Sequence, residues 1–198
     1  MRARLLVLLV GLALVSACGS GGGPKIAKSK LPLLVLQPAD LPKPFVRFDE
    51  GKLALSDIQP GPRADQKRFG HEGGWKARYH RAGTASTPGP LVVGSFADLF
   101  GDSGGARKDL RAYRVQLAQE MATLGGAEHE LHAPKIGDDT VAAVLTQFSL
   151  REYRIFWRYD NATASVLVQG LPDKIAFSAA VALARKQQRR IAAAARTS

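Results

Sequence analysis

The stretch between residues 141 and 168 constrains the fold most. Apolar and β-branched residues crowd positions 141–150, 153–159 and 164–168. In the middle segment Tyr153, Ile155 and Trp157 alternate with Arg154, Phe156 and Arg158. That is the two-residue period of a strand. Asp160-Asn161 falls where a hairpin turn is needed, and both residue types suit one. A chain with three such strands in succession is committed to a sheet, which the rest of the chain must extend and cover.

Further strands are expected at 75–80, where Trp75, Ala77 and Tyr79 oppose Lys76, Arg78 and His80, and at 91–96. Residues 45–48 alternate weakly beside prolines, which suits an edge strand. An apolar run at 33–36 ends at Pro38, and Ala39-Asp40-Leu41-Pro42 reads as a turn. Residues 60–74 are polar and Gly-rich, a surface loop. After Gly104-Gly105, the residues Leu110, Tyr113, Leu117, Met121 and Leu124 share one helical face, and Gly125-Gly126 stops the helix. A last helix is expected to open at Pro172-Asp173, with Phe177, Val181, Ala184, Gln188 and Ile191 as its seam. There is no internal repeat. The expectation is α+β: a single domain over residues 31–198, with a largely antiparallel sheet packed by two long helices.

The N-terminus carries an address. Arg2 and Arg4 precede an apolar run at 5–15, followed by Ser16, Ala17 and Cys18. This is the layout of a secretory signal. The run is too short for a helix that crosses about 30 Å of hydrocarbon. Val15-Ser16-Ala17-Cys18 resembles the lipobox of bacterial lipoproteins. The resemblance implies that residues 1–17 are a signal peptide and that Cys18 becomes a diacylglyceryl-linked N-terminus. Thioether formation suits a thiolate nucleophile, and two acyl chains hold a protein where one does so marginally. The Gly-rich stretch after Cys18, with Lys25, Lys28 and Lys30, makes residues 18–30 a flexible tether. The expected location is the extracytoplasmic face of a membrane, anchored but not spanning. Cys18 is the only cysteine, which excludes an intrachain disulfide and any Cys-rich metal site.

The 198 residues are 45% hydrophobic and 23% charged, which excludes wholesale disorder. The formal net charge is +11. Lys67, Arg68, Lys76, Arg78 and Arg81 form one basic group; Arg185, Lys186, Arg189, Arg190 and Arg196 form another. Such charge usually suggests nucleic acid, but the export signal argues against it. Anionic lipid and wall polymers are the acidic partners available outside a cell.

Four motifs invite chemistry. Gly101-Asp102-Ser103-Gly104-Gly105 matches the pentapeptide around the nucleophile of chymotrypsin-like proteases. No histidine motif of that family precedes it, and a helix follows at once, so a cap by Asp102 or Ser103 is expected instead. His129 and His132 are three residues apart. On a helix they could face zinc, but nearby glycines and Pro134 make exposed loop histidines the expectation. Gly137-Asp138-Asp139-Thr140 has too few ligands for Ca²⁺ and reads as a turn. Asn161-Ala162-Thr163 satisfies the glycosylation sequon, which has no bearing on a bacterial lipoprotein. No catalytic residue, metal site or cofactor is assigned.

Several segments together resemble actinobacterial lipoproteins and the ectodomain-like sensor modules of kinases. They are Ala39-Asp40-Leu41-Pro42-Lys43-Pro44-Phe45, residues 73–81, 92–106, Gly137-Asp138-Asp139, 158–168 and the Ala/Arg-rich terminal helix. The resemblance implies antiparallel strands, two long helices and an extracellular binding or sensing role. Such ectodomains often carry disulfides; this one has none. The favoured expectation is a non-enzymatic domain that binds a ligand or partner in a cleft beside the sheet. A pocket lined by residues such as Trp157 and Tyr79 would support it. The alternative is an envelope accessory protein that uses its basic surface on anionic lipid or wall polymer. A hydrolase built on Ser103 stands last.

Overall fold

The hairpin at the centre of the sequence forms as its pattern requires. In the computed structural model β6 (Leu150–Tyr159) and β7 (Ala162–Gly170) pair antiparallel from Arg151↔Gly170 to Tyr159↔Ala162. The turn between them puts Asp160 at φ +50°. The structure describes residues 25–54, 57, 61–63, 66–84, 86–124, 129–147 and 149–198. The expected signal peptide and Cys18 lie outside the described residues.

The remaining strands are β1 (Val46–Lys52), β2 (His71–His80), β3 (Val92–Phe100), β4 (His129–Leu131) and β5 (Asp139–Gln147). They join the hairpin in one sheet of order β1-β2-β3-β7-β6-β5-β4, antiparallel at every pairing. Two long helices, α1 (Ser103–Leu124) and α2 (Phe177–Arg196), take opposite faces. The architecture is the α+β single domain that the sequence predicts.

The sheet has two unequal faces. On the α2 side Tyr79, Val93, Leu99, Ile155, Trp157 and Val166 meet Ala180, Ala184 and Ile191, and the residues before β1 close the same core. On the α1 side a smaller cluster joins Leu110 and Leu117 to Val141, Leu145 and Phe156. Of the predicted α1 seam, Leu110 and Leu117 are packed with Tyr113 and Met121 at the margin, and the Leu124 side chain lies outside what is described.

Four expectations are corrected. The folded body starts before Leu31. Ile26 is fully buried, and Lys28–Leu33 forms a 3-10 turn against β2. Residues 25–30 are thus fold rather than tether, because one apolar side chain in a polar stretch found a seat in the core. The strand expected over 141–150 is divided: Gln147 ends β5 and Leu150 begins β6. The last helix begins at Phe177, not at Pro172-Asp173. Those residues form a turn in which Lys174 N–H reaches Leu171 C=O at 3.0 Å, and Asp173 pairs with Lys174 instead of capping. Finally, the loop expected over 60–74 holds a 3-10 turn (Gln66–Phe69) and the start of β2.

Candidate functional site

Trp157 and Tyr79 do not line a pocket. Both are fully buried beneath the α2 side of the sheet. Trp157 Nε1 donates to Gln188 Oε1 at 2.7 Å, and Tyr79 OH donates to the Leu36 carbonyl at 2.7 Å. Burying such rings requires a partner for each polar tip, and here both are supplied locally.

The cleft lies on the opposite face. Directly opposed residues of antiparallel strands point to the same side. The pairs Phe96↔Ser165 and Phe156↔Ser165 therefore set those three side chains in a row. Tyr113 and Gln116 of α1 form one wall, and Leu53, Asp57 and Arg63 form the other. The enclosed volume is about 180 Å³. That is below the ~300 Å³ at which pockets for drug-sized ligands begin. It is large enough for a molecule of a few heavy atoms.

Beneath the cleft lies a buried ionic network. Arg63 Nε donates to Asp109 Oδ1 at 3.0 Å, and Arg63 Nη2 donates to Asp98 Oδ2 at 2.5 Å. Asp109 also accepts from Gln66 Nε2 at 3.2 Å and Thr163 Oγ1 at 2.7 Å. His71 Nε2 donates to Asp98 Oδ1 at 2.9 Å. Both carboxylates are essentially without solvent exposure. Burial alone would lift the Asp98 carboxyl, but Arg63 and His71 outweigh it and hold it below the ordinary range. The Arg63 guanidinium lies 4.7 Å from the centre of the Phe156 ring, on which Tyr113 stacks at 4.2 Å.

The second cleft arginine is arranged alike. Arg154 pairs with Glu120 at 2.6 Å and also with Glu152. Each guanidinium in the wall thus faces two carboxylates. Two polar groups of the α1 wall have no hydrogen-bond partner among the described residues. The Tyr113 hydroxyl has none, and burial pushes its pKa up to about 12. Gln116 is only 9% exposed; its Nε2 donates to Glu120 at 3.2 Å, while its Oε1 is buried and unpaired. Glu120 is an acceptor, so the amide orientation is fixed and the free atom is the oxygen.

The motifs singled out in the sequence resolve into structural roles. Asp102 Oδ1 accepts the Gly105 N–H at 2.7 Å, an N-cap that leaves Ser103 as the first residue of α1. No hydrogen bond joins Ser103 to a histidine among the described residues. His129 sits on the short edge strand β4 and His132 just beyond it, both exposed. No cluster of three or more metal-ligating side chains occurs among the described residues. Asp138 pairs with Arg158 at 2.8 Å and accepts the Asp160 N–H, and Asp139 pairs with Arg114 at 2.8 Å. The Asn161 side chain is buried against Ile26 and Phe100, which makes it unavailable to a glycan.

No motif marks the network residues Arg63, Gln66, His71, Asp98 and Asp109, and Thr163 is marked only as part of the glycosylation sequon. One signal is present: Asp98 is the one charged residue of strand 92–100. A lone acid there needs a buried cation.

No protein-family profile matches the chain, and no curated protein does. Among solved structures it is similar to the extracellular domain of PknH from Mycobacterium tuberculosis. The two share 12% identity over 85% of this chain and all of that one, with a TM-score of 0.55. The likeness is one of fold. Among the described residues no helix is long and apolar enough to cross a membrane.

Proposed function

We propose that this chain is an extracytoplasmic binding domain of sensor type, without enzymatic activity, held at the membrane by lipid on Cys18. Its ligand occupies the cleft between α1 and the sheet. The unpaired Gln116 Oε1 carries this reading, since an orphaned buried acceptor costs about 1–3 kcal/mol. A ligand N–H would satisfy it once the Gln116 side chain turns this oxygen, now packed towards Gly61, into the cleft. The Tyr113 hydroxyl supplies a second polar contact, and the Phe96 ring supplies an apolar one.

The wall's charge narrows the ligand class. Arg63 and Arg154 are each bound by two carboxylates, so they offer little to an anion. The fitting ligand is small, neutral or cationic, and donates a hydrogen bond. The fold shared with a kinase's extracellular domain supports a sensing role, and the residues around Cys18 support the anchor.

Native mass spectrometry of protein released from membranes in mild detergent tests the proposal. A retained small molecule is expected, depleted in Gln116→Leu and kept in the exposed control Val115→Ser. No retained mass in the parent protein, or equal retention in both variants, overturns it.

A further inference from the structure

Four hydrogen bonds gather distant parts of the chain at one end of the sheet. Ile26 N–H donates to Asn161 Oδ1 at 2.9 Å, which sets the incoming chain on the β6–β7 turn. Phe100 N–H reaches the Asn161 carbonyl at 2.9 Å, and Gly101 N–H reaches the Gly70 carbonyl at 2.9 Å. These bring together the start of β2, the end of β3 and the N-terminus of α1. Ala27 N–H donates to Ser198 Oγ at 3.3 Å, adding the end of α2.

Cations without a carboxylate collect at this end. Lys28, Lys67, Arg107, Lys108 and Arg196 are exposed and have no acceptor among the described residues. Lys28 lies against Gly73 at the start of β2, and Lys67 belongs to the 3-10 turn packed on α1. Elsewhere Lys76 and Arg78 are neutralised by Asp49, Arg114 by Asp139 and Arg190 by Asp40, while Lys43, Lys52, Arg111, Arg185 and Arg189 are exposed without a carboxylate among the described residues but spread over the other faces. Three of the acids at this end are occupied, and the Asp160 carboxylate has no paired cation among the described residues. Glu72 pairs with Lys25 and Asp138 with Arg158; Asp102 caps α1, and Asp160 sits in the β6–β7 turn. Arg107 and Lys108 lie near the positive end of the α1 dipole, where stability alone would favour acids.

We infer that this basic end is a docking surface for anionic lipid headgroups. Its position is the decisive argument, and that part rests on the proposed anchor at Cys18. From Cys18 to Ile26 the chain can span at most about 29 Å. The anchor therefore keeps this end within about 29 Å of the bilayer, nearer than the far end of the sheet. Each basic side chain near an anionic surface strengthens binding roughly fivefold. Tyr113 and Gln116 lie roughly 15–20 Å along α1 from its N-terminus, so docking leaves the cleft open to water.

The test uses unlipidated chain beginning at Cys18 and vesicles of phosphatidylcholine with or without one-third phosphatidylglycerol. Binding to the anionic vesicles is expected, weakening as salt rises. Replacing Lys28, Lys67, Arg107 and Lys108 by Gln together should weaken it at least tenfold. Arg185→Gln/Arg189→Gln, on the flank of α2, should change it less than twofold. Circular dichroism of both variants keeps misfolding separate from lost binding. Equal losses in the two variants, equal binding to neutral vesicles, or binding only to a soluble polyanion such as polyphosphate overturns the inference. The anchor is read separately by palmitate labelling of full-length protein and its loss in Cys18→Ala. Labelling with no vesicle binding sinks the docking surface and keeps the anchor. Vesicle binding without labelling sinks the anchor, and with it the argument from position.

Discussion

Asn161 accepts the Ile26 N–H through its side-chain oxygen at 2.9 Å, across 135 positions of sequence. Its amide nitrogen donates back to the Ile26 carbonyl at 3.3 Å and to the Phe100 carbonyl at 3.0 Å. One buried side chain therefore fixes the first residues of the fold to the central hairpin and to the end of β3. Asn161→Ala orphans these groups, and a loss of about 3 kcal/mol is expected. Urea midpoints measure it, and tryptic cleavage after Lys28 and Lys30 should accelerate. Unchanged midpoints would show that the N-terminal segment is held by Ile26 packing alone.

Periodicity made the sheet legible. Tyr153, Ile155 and Trp157 face one helix while Arg154 and Phe156 face the other, because a strand covered on both sides shows its alternation as two kinds of inside. The cleft was not legible. Its walls come from Leu53, Asp57 and Arg63, β3, α1, β6 and β7, and no local pattern announces that Arg63 will reach Asp98 and Asp109. Aromatic residues misdirected the search. Trp157 and Tyr79 are the bulkiest fully buried side chains, and bulk favours the core over a binding site. The start of the fold was hidden too, since only Ile26 separates residues 25–30 from an ordinary polar tether.

The network under the cleft predicts a pH dependence. Asp98 has a folded-state pKa below its unfolded value of about 3.9. Its contribution is present above that value and is lost as pH falls through the folded one. Stability should therefore decline below about pH 4, and Asp98→Asn should flatten that decline. Arg63→Met strands two buried carboxylates at a cost of about 3–5 kcal/mol near neutrality. Protonation relieves the strain, so the gap from the parent should narrow with acid. Denaturation curves across pH 2–8 check both; a gap that widens in acid would refute the assignment.

The helix start at Asp102 separates a structural role from a chemical one. Asp102→Ala removes the cap on Gly105 N–H and should cost about 1 kcal/mol. Ser103→Ala, at the first position of α1, should change stability by less than about 0.5 kcal/mol. Thermal unfolding of the two single variants decides it. A large effect at Ser103 alone would return attention to that hydroxyl.

Gly94 controls the floor of the cleft. A Cβ at this position would stand 2.8 Å from the Phe96 ring and 3.5 Å from Leu167 Cβ. The ring folds back over the bare backbone, and the space above it stays open. In Gly94→Ala the ring must move aside, and the route away from the backbone leads into the cleft. Fold stability should hold within about 1 kcal/mol, because alanine also narrows the unfolded ensemble. Small-molecule retention should fall as it does in Gln116→Leu. Calorimetry and native mass spectrometry on the same preparation read the two effects apart. Retention at the parent level, with stability intact, would place the ligand elsewhere on the molecule.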